Sequence, residues 1–205
     1  MRKTLSLAAA LLLATGLAAC DKPPEAEVQK AEQALETARE AEAETYAPES
    51  LQAAKQTLET AREEIKTQDE RFAILRSYDE AIKKLNETEE KAEAAREEAV
   101  REKEKARSEA QNSLAKAQEA FDEAQAALDD APRGKGTKPD IQAFTSDLDG
   151  MKMQLNQVET QIKAEKFFDA RDKGEAVVES AKAITREIQA AVEMQASLRA
   201  KRRSR

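Results

Sequence analysis

The chain has 205 residues, 34 of them Lys or Arg and 41 Asp or Glu, with 3% aromatics, no His, no Trp and a single Cys. Five Gly and five Pro supply too few breakers for a sandwich, a barrel or an alternating α/β fold, whereas about a fifth of the residues are Ala and most others are Glu, Lys, Arg, Gln and Leu, all strong helix formers. The composition predicts an all-α protein of elongated antiparallel helical hairpins, a coiled-coil-like bundle with one long helix, and too few large apolar groups for a thick core.

Arg2 and Lys3 open the chain with positive charge, Leu5 to Leu13 follow as an apolar stretch too short to span a bilayer, and Gly16 precedes small residues; this is the plan of a secretory signal. The segment ends in Leu17-Ala18-Ala19-Cys20, which resembles the lipobox of bacterial lipoproteins. That resemblance implies cleavage after Ala19, acylation of Cys20 and a place in the bacterial cell envelope, anchored to the inner or outer membrane and facing the periplasm. Asp21 after the Cys resembles the inner-membrane retention signal of enteric bacteria. An ordinary signal peptide followed by an incidental thiol is the other reading. With one Cys, no disulfide within the chain can support the fold in either case.

Residues 20–24 form a tether, in which Pro23-Pro24 is extended and suited to start a helix. A first helix is expected from Glu25 to Glu44, with Val28, Ala31, Leu35 and Ala38 as a thin stripe that needs a partner helix. Tyr46-Ala47-Pro48 breaks it. Leu51, Ala54, Leu58, Ala61 and Ile65 then alternate steps of three and four, a seam with alanine at every second position that lets two backbones approach closely. After a phase shift at residues 67–70, Phe72, Leu75, Tyr78, Ile82 and Leu85 begin another stripe, so residues 51–85 read as a hairpin.

From Asn86 to Gln111 the only large apolar residue is Val100, and interleaved charges such as Glu87 with Lys91 and Glu97 with Arg101 suit a solvated rod. Heptad spacing resumes at Leu114, Ala117, Phe121, Ala124, Leu128 and Ala131. Two readings stay open: one helix from Phe72 to Ala131, of roughly 90 Å, or a break near Ser108 to Ser113. Residues 25–131 thus form a first hairpin region with the long charged helix, 132–139 a Gly- and Pro-containing loop, 140–198 a second hairpin and 199–205 a basic tail. In the second hairpin Leu148, Met151, Leu155, Val158 and Ile162 repeat the pattern of Leu51 to Ile65 at a constant offset of 97, with Phe168 set against Phe72 after a one-residue gap. A turn at 165–168 leads to a helix carrying Val177, Ala181, Ile184, Ile188, Ala191 and Leu198. Two readings fit this spacing: internal duplication of a helical hairpin, or the likeness that any two amphipathic Ala/Leu helices share. The stretch Tyr46-Ala47-Pro48-Glu49-Ser50-Leu51-Gln52-Ala53-Ala54 with its hairpin resembles a family of uncharacterised bacterial envelope lipoproteins built from such hairpins, some of which carry an OmpA-like peptidoglycan-binding module.

Chemistry-bearing residues are sparse. There is no His to act as a base or ligand, Cys20 is taken by the lipid, and carboxylates on solvated faces lack the burial that shifts a pKa. Thr145-Ser146-Asp147-Leu148-Asp149-Gly150 has Thr where a calcium loop starts with Asp, and Asn156 where its bidentate Glu belongs. Gly134-Lys135-Gly136-Thr137 lacks the spacing of a phosphate loop. No catalytic residue, cofactor site or metal site is therefore expected, and no enzyme. Arg199, Lys201, Arg202, Arg203 and Arg205 make a basic C-terminus that either complements a helix dipole or contacts anionic lipid, cell-wall polymer or an acidic envelope protein. Nucleic acid is not expected as a partner of an exported acidic chain. The expectation is a lipid-anchored spacer, scaffold or adaptor, with self-association among its contacts. The alternatives are a module whose Ala-rich seams take a partner helix, client protein or lipid, and a chain that is helical only when bound or dried.

Overall fold

A computed structural model describes residues 22–132 and 138–203, and among them there is no strand. Residues 1–19, expected to be a signal, Cys20 and most of the 132–139 loop lie outside the described residues. The protein is all-α. Six helices follow in order: α1 (Glu25–Glu40), α2 (Ala43–Tyr46), α3 (Pro48–Asp69), α4 (Asp79–Asp129), α5 (Lys138–Lys163) and α6 (Phe167–Arg203), with a 3-10 turn at Ala73–Leu75. The chain divides into two compact units between Val100 and Arg101. That division lies inside α4, not at the 132–139 loop where the composition places it, because α4 contributes helical faces to both units.

In the first unit, α1 buries Ala31, Leu35 and Ala38, the expected stripe. The helix stops at Glu40, four residues short of the expected end, because Glu42 enters the left-handed region at φ 62° and its N–H donates to the Arg39 carbonyl. After the short α2, Pro48 opens α3, where its missing N–H costs nothing. Arg62 pairs with Glu32 of α1 at 2.7 Å, and Lys55 with Glu44 of α2, just past the end of α1, at 3.2 Å, so α3 runs back along α1 in the antiparallel sense. Thr57 accepts a hydrogen bond from Lys91 at 2.9 Å, and Ser50 donates to Glu98, so the first part of α4 is antiparallel to α3 in turn.

Between α3 and α4 the sequence expectation fails. Phe72 and Leu75 are exposed turn residues and the long helix begins only at Asp79. Buried Gln68 holds the turn: its Oε1 accepts from the Ser77 N–H and from Arg71, both at 3.2 Å, while Tyr78 donates to Asp69. From Tyr78 the buried positions run Ala81, Leu85, Thr88, Ala92, Ala95 and Ala99, in steps of three and four. The segment from Asn86 to Gln111 is therefore no solvated rod. Ala92, Ala95, Ala99, Ala106 and Ala110 are buried and its one large apolar residue, Val100, is exposed. Alanine serves as a seam residue wherever backbones approach closely, so a search for large side chains passes over it. No break occurs at Ser108 to Ser113, and Ser113 itself is buried.

In the second unit, Ala120, Ala124 and Leu128 of α4, Leu148 and Met151 of α5, and Ala181, Ile184 and Ile188 of α6 share one apolar cluster. Lys103–Glu165 at 2.6 Å and Glu109–Arg171 at 3.2 Å set α6 parallel to α4. Lys173 reaches Gln157 at 2.8 Å across the antiparallel α5–α6 pair. Each unit thus repeats one plan of three long helices, the middle one reversed, with the short α2 an addition in the first. Leu51, Ala54, Leu58 and Ala61 are buried, as are their counterparts Leu148, Met151, Leu155 and Val158. The aromatic partners differ from expectation. Phe72 and Phe168 are exposed, whereas Tyr78 and Phe167 are buried and start matching patterns: Tyr78, Ala81, Leu85, Thr88, Ala92 against Phe167, Ala170, Gly174, Val177, Ala181. The offset falls from 97 residues on the middle helix to 89 on the third, which measures eight extra residues between these two seams in the first unit. Finally, α6 runs through to Arg203, past the expected end at Leu198.

Candidate functional site

Cys20, the expected lipid site, lies outside the described residues, as does Arg205. Arg199 and Lys201 are exposed on α6, and the backbone of Arg202 and Arg203 continues the same helix. Arg199, Lys201, Arg202 and Arg203 therefore extend a regular helix instead of forming a separate tail. Cations there also lie where the last carbonyls of α6 carry partial negative charge, so both readings of the cluster use the same placement.

Two open grooves score the surface. One, of about 700 Å³, lies between α4 and α6 and is lined by Glu109, Ser113, Lys116, Arg171, Glu175 and Lys182. The other, of about 680 Å³, lies between α1 and α3 beside Glu32, Arg39, Lys55, Glu59 and Arg62. Both are walled by paired charges. Arg62 is held more strongly protonated by Glu32 and then Glu59, and Arg171 by Asp172 and then Glu109. At the floor of the first groove, α4 and α6 come close: the Ser113 hydroxyl donates to the Arg171 carbonyl at 2.9 Å. A Cβ on Gly174 would stand 3.2 Å from both the Cβ and the carbonyl carbon of Ser113, and nearer still to its Oγ. The alanine seams are filled by the chain's own helices, so a partner must open them or use the grooves outside.

The α5–α6 turn is latched onto α4. Glu165, left-handed at φ 57°, ends α5 with Lys166 donating back to the Gln161 carbonyl at 2.9 Å. Its carboxylate lies 2.6 Å from Lys103 and 3.8 Å from Arg107, and these cations, Lys103 foremost, hold its pKa below the usual carboxylate range. Arg107 in turn lies 5.3 Å from the centre of the buried Phe167 ring, a cation–π distance.

The α3–α4 turn is built in the opposite sense. Arg76 spans its neck, donating to the carbonyls of Asp69 at 2.8 Å and Arg71 at 3.0 Å. Above this clasp Phe72, Ile74 and Leu75 are 83%, 89% and 64% exposed. Helical periodicity misled here, since Phe72, Leu75 and Tyr78 keep a three-residue spacing that a helix would also give. The signal that could have exposed the turn is the change of repeat offset between the middle and third helices.

Among the described residues no group of three or more His, Cys, Asp or Glu could hold a metal ion, and no helix is long and apolar enough to cross a membrane. Comparison with protein-family models, curated proteins and solved structures finds no match for this chain.

Proposed function

We propose that the protein is a lipid-anchored, periplasm-facing component of the bacterial cell envelope that acts as a spacer, scaffold or adaptor through its helix faces. The observation that carries this reading is the order of segments at the N-terminus: a charged and apolar signal, Leu17-Ala18-Ala19-Cys20, then Pro23-Pro24 and the start of α1. A lipidated Cys20 five residues before a helical unit ties that unit to a membrane surface. The units themselves offer charged outer faces and closed seams, which suit contact with other surfaces better than enclosure of a small molecule. Arg199, Lys201, Arg202, Arg203 and Arg205 are the proposed contact with anionic lipid, cell-wall polymer or an acidic envelope protein.

Metabolic labelling with a radioactive fatty acid tests the anchor. The natural chain should carry label and the Cys20→Ser variant should remain an unlabelled precursor. Equal labelling of both, or of neither, would remove the lipoprotein assignment. A photoreactive residue at position 201 then asks which partner the basic end meets in intact cells: wall polymer, an envelope protein or a second copy of this chain.

A further inference from the structure

We infer that the turn Arg71–Arg76 is a second membrane contact, inserting Phe72, Ile74 and Leu75 into the interfacial layer of the bilayer that carries the lipid. This rests on the proposed anchor at Cys20. Three features of the turn support it.

The turn is surplus to the fold. The equivalent connection in the second unit closes with residues 164–166 alone, whereas the first, residues 70–78, is six residues longer, and the large apolar residues Phe72, Ile74 and Leu75 within it are turned into water. It is also preorganised. Gln68 is buried and hydrogen-bonded to Glu64, Arg71 and Ser77, Arg76 clasps two backbone carbonyls, and Leu75 N–H donates to the Phe72 carbonyl at 2.8 Å. The exposed side chains are thus presented by a braced support, which lowers the ordering cost of any contact they make.

The position of the turn selects the occupant. Arg62 on α3 pairs with Glu32 on antiparallel α1. Seven residues back along α1 is Glu25, where the helix starts, and seven forward along α3 is Asp69, where that helix ends; each step covers about 10 Å. The turn after Asp69 therefore projects from the same end of the unit as the start of α1. Cys20 is five residues before Glu25, within about 17 Å even when the tether is fully extended. A lipid at Cys20 and the apolar turn accordingly face the same surface.

The size and charge of the patch agree. Three large side chains offer on the order of 400 Å², about half of what each partner buries in a stable protein–protein interface. A bilayer interface demands no such minimum when another anchor supplies part of the attachment. Asp69, Glu70, Asp79 and Glu80 around the turn outnumber Arg71 and Arg76, so the contact is with the apolar layer and neutral headgroups rather than with anionic lipid.

The chain has no Trp, so Phe72→Trp installs a single reporter. Full-length lipidated protein would be reconstituted in vesicles of phosphatidylcholine and phosphatidylethanolamine, with brominated acyl chains as the membrane quencher and acrylamide as the aqueous one. Val100→Trp, exposed and about 30 Å along α4 from the turn, is the comparison. Bromolipid should quench Phe72→Trp several-fold more than Val100→Trp, with the reverse order for acrylamide. Equal acrylamide access at both positions would overturn the inference. A blue shift at Phe72→Trp without bromolipid quenching would overturn it too, in favour of a protein contact. Because labelling at Cys20 is read separately, an unlabelled chain whose Phe72→Trp indole is still quenched by bromolipid would support the turn while removing the anchor.

Discussion

Two glutamates sit where glycine is the usual choice. Glu42 and Glu165 both take left-handed backbone conformations at the end of a helix, a region that costs a residue with a Cβ about 1 kcal/mol. Glu42→Gly should therefore relieve that strain and raise stability by at most about that amount in chemical denaturation. Glu165→Gly should gain less, since it also removes the carboxylate that binds Lys103 and Arg107. Gly174 carries the opposite constraint: Gly174→Ala drives a methyl into Ser113 and should cost about 1–3 kcal/mol by overpacking. Glu87 gives a pH signature. Its carboxylate lies 2.8 Å from Lys91 and 2.9 Å from Lys84, and these ammonium groups bring its pKa from 4.5 to about 2. A depressed carboxylate stabilises the folded state fully above its unfolded pKa, and that contribution disappears as pH falls from about 4.5 towards 2. Thermal melts across that window should show a smaller acid-induced drop for Glu87→Gln than for the natural chain; parallel pH profiles would exclude Glu87 as a contributor.

At the scale of helices, the seam is the unit of stability. Ala54 is buried and Ala53, its neighbour, is exposed, so Ala54→Leu should lower stability by about 1–3 kcal/mol while Ala53→Leu leaves it nearly unchanged. Equal effects in urea unfolding would mean that α3 does not pack through this face. The seams of α3 and α5 were legible in the sequence because Leu marks every other position. Beyond Leu85 the marker is lost, and the buried face of α4 through Ala92, Ala95, Ala99, Ala106 and Ala110 is chemically indistinguishable from the exposed alanines beside it. The start of α4 was illegible for another reason. Nothing in the spacing of Phe72 and Leu75 tells that Gln68 and Arg76 lock the chain into a turn, because that depends on hydrogen bonds to backbone groups brought together only by the fold. The same applies to Glu42, whose left-handed conformation ends α1 without the glycine that would announce it.

For the whole molecule, the basic end is the part of the candidate site that composition alone could find, and its continuation of α6 as helix is what composition could not supply. Deleting residues 199–205 should abolish salt-sensitive co-sedimentation with isolated cell wall or anionic vesicles if those cations are a docking site. Unchanged sedimentation would leave them as a complement to the helix dipole. The continuity of α4 has a further consequence. With Val100 and Arg101 adjacent within one unbroken helix, no linker separates the two units at that point, and the backbone hydrogen bonds across the division belong to both halves at once. Heat should then unfold the chain in one calorimetric transition, whose van't Hoff enthalpy equals the measured enthalpy. Proline within a helix removes a hydrogen bond and clashes with the preceding turn, and at the exposed position 100 it would disturb little else. Val100→Pro should split the single endotherm into two, each half then melting at a temperature set by its own three helices; two endotherms already present in the natural chain would show that a shared helix is not enough to make the halves melt together.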